Sequence, residues 1–324
     1  MSPNHSGYSF EPPMTFPDVF FSHYDDVKRP VDWRGHFGND HPLDVEIGFG
    51  LGEFLVSQAH NSPERNFVGL EQDWPRLKKA MQKIDALRQG SPDGTLGNIQ
   101  LLKVDATVAL ERLFCQRSIH RIFCLFPCPW PKQGHVKHRL FSRSFFELLN
   151  SRLVEQGEGR IVTDSGLFFE WIHAEADGTG FAATTRTIKP QFNTKFERKW
   201  RREGQEEFFE LQIVKKEHRD IPVAEDADMK AYFLRDFNPD RFQPDDVIGD
   251  VSVVFKDFVF DPKKNKGLVH AVVAEPSLTQ HVWIIIVKTS KDWCVAKAEG
   301  HTALPTQGVA TALRHVYEAA RRTG

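Results

Sequence analysis

The run Asp44-Val45-Glu46-Ile47-Gly48-Phe49-Gly50-Leu51-Gly52 sets carboxylates directly ahead of three alternating glycines. Glycines so placed let a backbone turn tightly and let a ligand come close to it. A dinucleotide fingerprint requires G-x-G-x-x-G. Counted from Gly48, its last position holds Glu53, so that match fails. The loop need not cradle a pyrophosphate. Glu71 follows the next apolar run, where an acidic side chain can accept hydrogen bonds from both hydroxyls of a ribose. Asp105 follows the third run and reads equally as the N-cap of a helix over 107–117. Three carboxylates at the ends of neighbouring strands point jointly to a nucleoside pocket, because open α/β sheets bind ligands at the carboxyl ends of their strands.

A second constellation lies at Phe126-Pro127-Cys128-Pro129-Trp130-Pro131-Lys132. The flanking prolines stiffen the backbone and remove donors, so the turn should present its side chains in fixed directions. The alternative is a loop stiffened for packing, with Trp130 buried. Lys132, His135, Lys137, His138, Arg139 and Arg143 follow, with no acid between residues 129 and 146. A second basic cluster, Lys195, Arg198, Lys199, Arg201 and Arg202, follows Asn193-Thr194. Two such clusters can form a phosphate-binding face. The interleaved aromatics Trp130, Phe192, Phe196 and Trp200 can stack on an unpaired base, although some must be core.

The elements that must position these groups follow from the apolar pattern. Strands are expected at Leu43–Ile47, Asn66–Leu70, Ile99–Val104, Arg121–Phe126 and Gly159–Thr163. Helices are expected between them at Gly52–His60, Pro75–Arg88, Val108–Gln116, Leu140–Leu153 and Leu167–Glu175. Leu77, Met81, Ile84 and Leu87 mark one apolar helix face. Alternating strands and helices predict an α/β fold with a mostly parallel sheet covered on both faces. Ala182–Ile188 and Phe208–Lys215 read as an antiparallel pair closing the sheet edge. A boundary near residue 220 is followed by strands at Val247–Phe260, Leu268–Ala274, His281–Thr289 and Trp293–Lys297. A helix over Val309–Arg322 then completes a small α+β domain. Residues 1–41, rich in Pro, Gly and aromatics, read as an arm on the main domain, since Phe10, Phe16, Phe20, Phe21 and Tyr24 favour packing over disorder.

Bulk properties narrow the class. The formal net charge is -2 over 324 residues, which excludes a uniformly cationic coat but not a local basic face. No apolar stretch is long enough for a membrane span, and the first residues lack the pattern of a secretory signal. Four cysteines are too few for a disulfide framework, so a reducing, cytoplasmic setting is expected. The histidines show no metal-ligand spacing, so no metal is expected. Monomer and homodimer both stay open.

Taken together, Glu46–Gly52, Phe126–Lys132, Thr163-Asp164 and Thr194–Glu197 make the chain resemble the bacterial tRNA (guanine-N7)-methyltransferases. Members of that family carry E-I-G-F-G-x-G, F-P-D-P-W-x-K, T-D and T-K-F-E in this order. The resemblance spans roughly residues 43–217 and implies a class I Rossmann-like sheet using S-adenosyl-L-methionine. It implies cofactor contacts at Glu46, Gly48, Gly50, Glu71 and Asp105, with Asp105 towards the adenine. It implies substrate contacts at Lys132, Asp164, Thr194, Lys195, Phe196 and Glu197, with tRNA as partner and the variable-loop guanine as acceptor. The resemblance further implies that residues 220–324 correspond to the extra C-terminal region of extended members, for which a tRNA-holding role is expected.

One departure matters. The family's catalytic Asp between the two prolines is Cys128 here. Guanine N7 is a neutral nitrogen with a free lone pair, so no proton must leave before it attacks a methyl group. Positioning and electrostatics then carry the rate. A thiol is a weaker hydrogen-bonding group than a carboxylate, and each lost charge-assisted contact costs about 1.5–3 kcal/mol. Three consequences stay open: turnover assisted by another carboxylate, Asp164 being the candidate; a changed acceptor; or RNA binding without turnover. Cys124 and Cys128 lack the third cysteine of an iron–sulfur radical motif, since Pro131 stands in its place.

Overall fold

A computed structural model describes residues 21–22, 28–90, 96–300 and 303–324. The chain opens with β1 (Phe21–Ser22) and α1 (Trp33–Phe37), then alternates β2 (Leu43–Ile47), α2 (Glu53–Asn61), β3 (Asn66–Glu71), α3 (Trp74–Gln89), β4 (Ile99–Lys103), α4 (Ala106–Arg112) and β5 (Ile119–Leu125). A 3-10 turn at Gln133–His138 leads into α5 (Arg143–Arg152), β6 (Leu153–Thr163), α6 (Gly166–Ala176), β7 (Phe181–Ile188), α7 (Lys195–Arg202) and β8 (Phe208–Lys215). Beyond them lie β9 (Tyr232–Leu234), β10 (Ser252–Asp261), β11 (Lys266–Glu275), β12 (Leu278–Lys288), β13 (Trp293–Lys297) and α8 (Gln307–Arg321).

The first sheet runs β1-β4-β3-β2-β5-β6-β8-β7. β2 to β6 are parallel, and β8 inserts antiparallel between β6 and β7. β7 and β8 are thus an antiparallel pair at the edge, with the later strand inside and the earlier one outermost. This is a mixed, helix-covered sheet of Rossmann-like form. Helices cover both faces because β2 and β3 are buried along their whole length and leave no side for water. α3 begins at Asp73, whose side chain accepts from the Arg76 N–H at 2.9 Å, with Pro75 in the first turn. Leu77, Ala80, Met81 and Ile84 bury its inner stripe. Leu87, expected on that stripe, is 42% exposed. It falls in the last turn before Gly90, where Arg88 instead reaches the Leu96 carbonyl.

Other boundaries differ from the sequence pattern. α4 stops at Arg112, α5 starts only after Ser142 caps it, and β6 begins at Leu153 rather than Gly159. Two helices carried no apolar period to reveal them. α1 is capped by Asp32 and seats Trp33 on Phe114, with ring centroids 5.2 Å apart. In α7, five of eight residues are cationic. The arm aromatics Phe10, Phe16, Phe20 and Tyr24 lie outside the described residues. β1 pairs with the free edge of β4, Phe21 opposite Leu101.

The second sheet is antiparallel, ordered β10-β11-β12-β13-β9, and carries α8 on one face. Val309, Ala312, Leu313, Val316, Ala319 and Ala320 of α8 pack on Val269, Ala271, Val273, Ile284 and Ile286. Val247, expected to begin a strand, makes only an isolated bridge to Val253. The segment joining the sheets is pinned by Arg152, which is fully buried. Its guanidinium donates to the carbonyls of Leu110 at 2.6 Å, Ile221 at 2.6 Å and Pro222 at 3.2 Å. A buried cation is tolerable there because carbonyl oxygens satisfy its donors.

Candidate active site

The carboxyl ends of β2 to β6 open on one cavity of about 1320 Å³. Ligand pockets usually hold about 300–1,000 Å³, so this one has room for two groups side by side. Gly48, Glu71 and Asp105 line one end, while Cys128, Asp164, Phe196 and Trp200 line the other.

At the first end, Gly48, Gly50 and Gly52 have φ of +70°, +58° and +70°, a left-handed geometry that side chains rarely adopt. The loop also packs tightly against β3. A Cβ on Gly69 would meet Phe49 Cδ1 at 2.6 Å and Leu55 Cδ2 at 2.7 Å. Glu71 is fixed by two backbone donors, Gly50 N–H at 3.0 Å and Asp73 N–H at 2.9 Å. Asp105 caps α4 through Thr107 N–H at 2.8 Å and Val108 N–H at 3.2 Å, and it also lines the cavity. Gln72 also donates to it.

Glu46 is buried, and its Oε2 has no hydrogen-bond partner. Burial, reinforced by nearby Glu71, pushes its carboxyl up to about 8, against the lowering effect of the Leu55 N–H. An orphaned buried carboxylate oxygen is costly unless a ligand completes it.

At the second end, Phe126 and Trp130 bracket the turn with φ of +58° and +42°. Left-handed geometry at bulky residues is strained and must be imposed by surroundings. Arg139 supplies part of that constraint. It donates to the carbonyls of Pro129 at 3.0 Å and Trp130 at 3.3 Å, and lies 4.9 Å over the Trp171 ring. Cys128 is exposed on the cavity wall. Trp130 is not buried; it is 37% exposed, with His135 and His138 rings 5.7 and 5.4 Å away. Asp164 faces the cavity, and burial raises its carboxyl above the ordinary value while Lys199 opposes that rise.

The T-K-F-E segment is a helix start. Thr194 caps α7 through the Glu197 N–H at 3.2 Å. Glu197, 2% exposed, accepts from the backbone of Gln191 at 2.6 Å, Phe192 at 3.0 Å and Asn193. Lys195 N–H and the Arg198 guanidinium both donate to Glu53, the residue that breaks the dinucleotide fingerprint. Phe192 belongs to the packing, 5.6 Å from Phe54. Phe196 and Trp200 line the cavity, and Lys199 sits 4.2 Å over the Trp200 ring.

The cavity wall thus gathers Gly48, Glu71, Asp105, Cys128, Asp164 and Phe196. Glu46, Gly50, Lys132, Thr194, Lys195 and Glu197 lie off it. The sequence names Glu53 only as a failed glycine position and Arg139 only as one cation of a basic run, and nothing in it singles out Gln72. Glu53 was legible as an acid in the first turn of a helix, where the macrodipole favours it. No cluster of metal-ligating side chains occurs among the described residues.

The family model described as "Putative methyltransferase" matches residues 40–210. A tRNA (guanine-N(7)-)-methyltransferase of Chlorobium phaeobacteroides is 39% identical over 176 residues, 54% of this chain and 83% of that protein. One of Thermotoga maritima is 34% identical, over 55% of this chain and 56% of its own length. One of Deinococcus radiodurans is 31% identical over 263 residues, 77% of this chain and 79% of that protein. That last span is longer than residues 1–219, so the likeness reaches into the second sheet. With its mixed sheet, glycine loop and strand-end carboxylates, the chain belongs to the tRNA (guanine-N(7)-)-methyltransferase family.

Proposed function

We propose that this chain transfers a methyl group from S-adenosyl-L-methionine to N7 of the variable-loop guanine in tRNA, acting in the cytoplasm. The observation that carries the reading is the single cavity onto which strand-end carboxylates and the Cys128 turn both open. The residues fit the cofactor. Glu71 retains lone pairs towards the cavity for ribose hydroxyls, Asp105 stands at the next strand end, and Glu46, buried just behind the wall formed by Ile47 and Gly48, holds an unpartnered oxygen that an ammonium group would satisfy. S-Adenosyl-L-methionine, when bound, supplies an electrophilic methyl group on a sulfonium.

The chain's own residues then place the acceptor. Guanine N7 needs no base to free its lone pair, so alignment and exclusion of water are the main tasks. Phe196 and Trp200 offer faces on which an unpaired base can stack. Asp164, whose carboxyl burial raises above its ordinary value, faces this space and can accept hydrogen bonds from the base edge. Cys128 borders the same space without the charge of a carboxylate. The cations of α7, exposed Arg201 and Arg202 foremost, suit phosphates beside the base. Residues 42–219 form the methyltransferase domain in this reading, and residues 220–324 hold the tRNA. No described helix is long and apolar enough to cross a membrane.

The test is methyl transfer from labelled S-adenosyl-L-methionine to unmodified tRNA, with nucleoside analysis. N7-methylguanosine that disappears in Glu46→Ala supports the proposal. Tight tRNA binding with no methylated nucleoside would instead mean an RNA-binding homologue without turnover.

A further inference from the structure

We propose that the turn between β11 and β12, Pro276-Ser277, walls the adenosine end of the cofactor site, so that the C-terminal domain sets cofactor affinity. The inference rests on the functional reading above. Pro276 and Ser277 line the same cavity as Asp105, Ala106, Thr107 and Glu111, although they come from the other sheet. Ser277 Oγ donates to Glu111 Oε2 at 2.9 Å. Glu111 lies on α4, the helix that Asp105 caps, and its carbonyl accepts from Ala224 N–H at 2.8 Å. One residue beside the pocket therefore receives both the turn and the segment that joins the domains.

The turn is rigidly mounted. Leu278, next to Ser277, packs on the core of the methyltransferase sheet, as does buried Leu304. Gln280 accepts from Leu304 N–H at 2.7 Å and donates to its carbonyl at 3.2 Å. Glu275 accepts from Gly308 N–H at 3.0 Å at the start of α8. Hydrogen bonds behind the turn and apolar contact beside it fix its height above α4. Sites formed between domains commonly take one wall from each. Ser277 is a positioning residue, holding Glu111 and the turn in place around the ligand.

The test is equilibrium binding to the full chain of two probes, S-adenosylhomocysteine and 5′-methylthioadenosine, the second lacking the amino-acid end. Ser277→Trp, which fills the adenosine end, should raise both dissociation constants by about tenfold or more. Ser277→Ala, which loses one hydrogen bond, should raise them about threefold, and Ser277→Thr should restore them. Lys291→Ala, in the turn at the opposite end of the sheet, should change neither. Should Ser277→Trp fail to fold in a thermal melt, Ser277→Ala against Ser277→Thr decides. Unchanged affinity in folded Ser277 variants overturns the inference, as does a loss seen with S-adenosylhomocysteine alone. A parent chain that binds neither probe would remove the functional reading and this inference together; binding indifferent to Ser277 removes only the inference.

Discussion

The two ends of the cavity are built differently. At the glycine-loop end, proposed to take the cofactor, the strand-end carboxylates are themselves held: Glu71 by two backbone amides, Asp105 by two more. At the acceptor end the charged motif residues do the holding. Glu197 gathers three amides of the preceding loop, and Arg139 clamps two carbonyls of the Cys128 turn. Facing the cavity there are the aromatics Trp130, Phe196 and Trp200, the Cys128 thiol and Asp164, with His138, Arg139, Ser142 and Ser144 beside them. A motif on the acceptor side can therefore act by shaping a surface rather than by touching RNA. Glu53 ties the ends together, since it starts α2 behind the glycine loop and receives Lys195 and Arg198 of α7.

The largest effect should come from Glu197→Ala. It strands three backbone donors, each worth roughly 1–3 kcal/mol when partly buried, so unfolding should cost on the order of 3 kcal/mol less. Denaturant melts would show the loss. Methyl transfer to tRNA should drop steeply, while S-adenosylhomocysteine affinity changes little. Equal losses of both would break the division between the ends.

Glu46→Ala should reverse that pattern, weakening S-adenosylhomocysteine by about tenfold to a hundredfold through one lost charge-assisted contact. Its pH dependence sharpens the point. Between the ordinary value of 4.5 and about 8, folded Glu46 keeps a proton that the unfolded chain has released. Stability of the ligand-free chain therefore falls as pH rises through that window, with no contribution from this group to the slope outside it. A ligand ammonium favours the ionised carboxylate, so affinity should rise over the same window and level off above it. Glu46→Gln should flatten both trends in melts and titrations.

Cys128→Asp should raise the methyl-transfer rate about tenfold, by restoring one charge-assisted contact to the base edge. Pre-steady-state kinetics would separate that gain from tRNA binding. A fall in rate would mean that the turn has been rebuilt around the thiol. Smallest of all, Arg201→Ala or Arg202→Ala should weaken tRNA about threefold at moderate salt. Each should also reduce the slope of log affinity against log salt by about one.

Much of the parallel sheet was legible because its strands are short, mainly apolar runs followed by glycine or acid; Leu43–Ile47 begins and ends where the pattern places it, as does Trp293–Lys297 of the second sheet. α7 was hard to read as a helix, because its apolar stripe is the single i,i+4 pair Phe196 and Trp200 within eight residues. Its clearest local signal is the Thr194-x-x-Glu197 capping pattern. The strand-end carboxylates were visible as types at positions. Glu111 and Ser277 were not, since they are 166 residues apart and meet only through packing of the two sheets. Leu87 shows the opposite failure, where a regular period runs on after the partner surface has ended.

The most direct test of the central claim is methyl transfer by the parent chain to two tRNA transcripts, one with its variable-loop guanine and one with adenine there. The account predicts N7-methylguanosine in the first, at the variable loop, and none in the second despite similar binding. Equal methylation of both transcripts, or none in either while the parent binds S-adenosylhomocysteine, would contradict it.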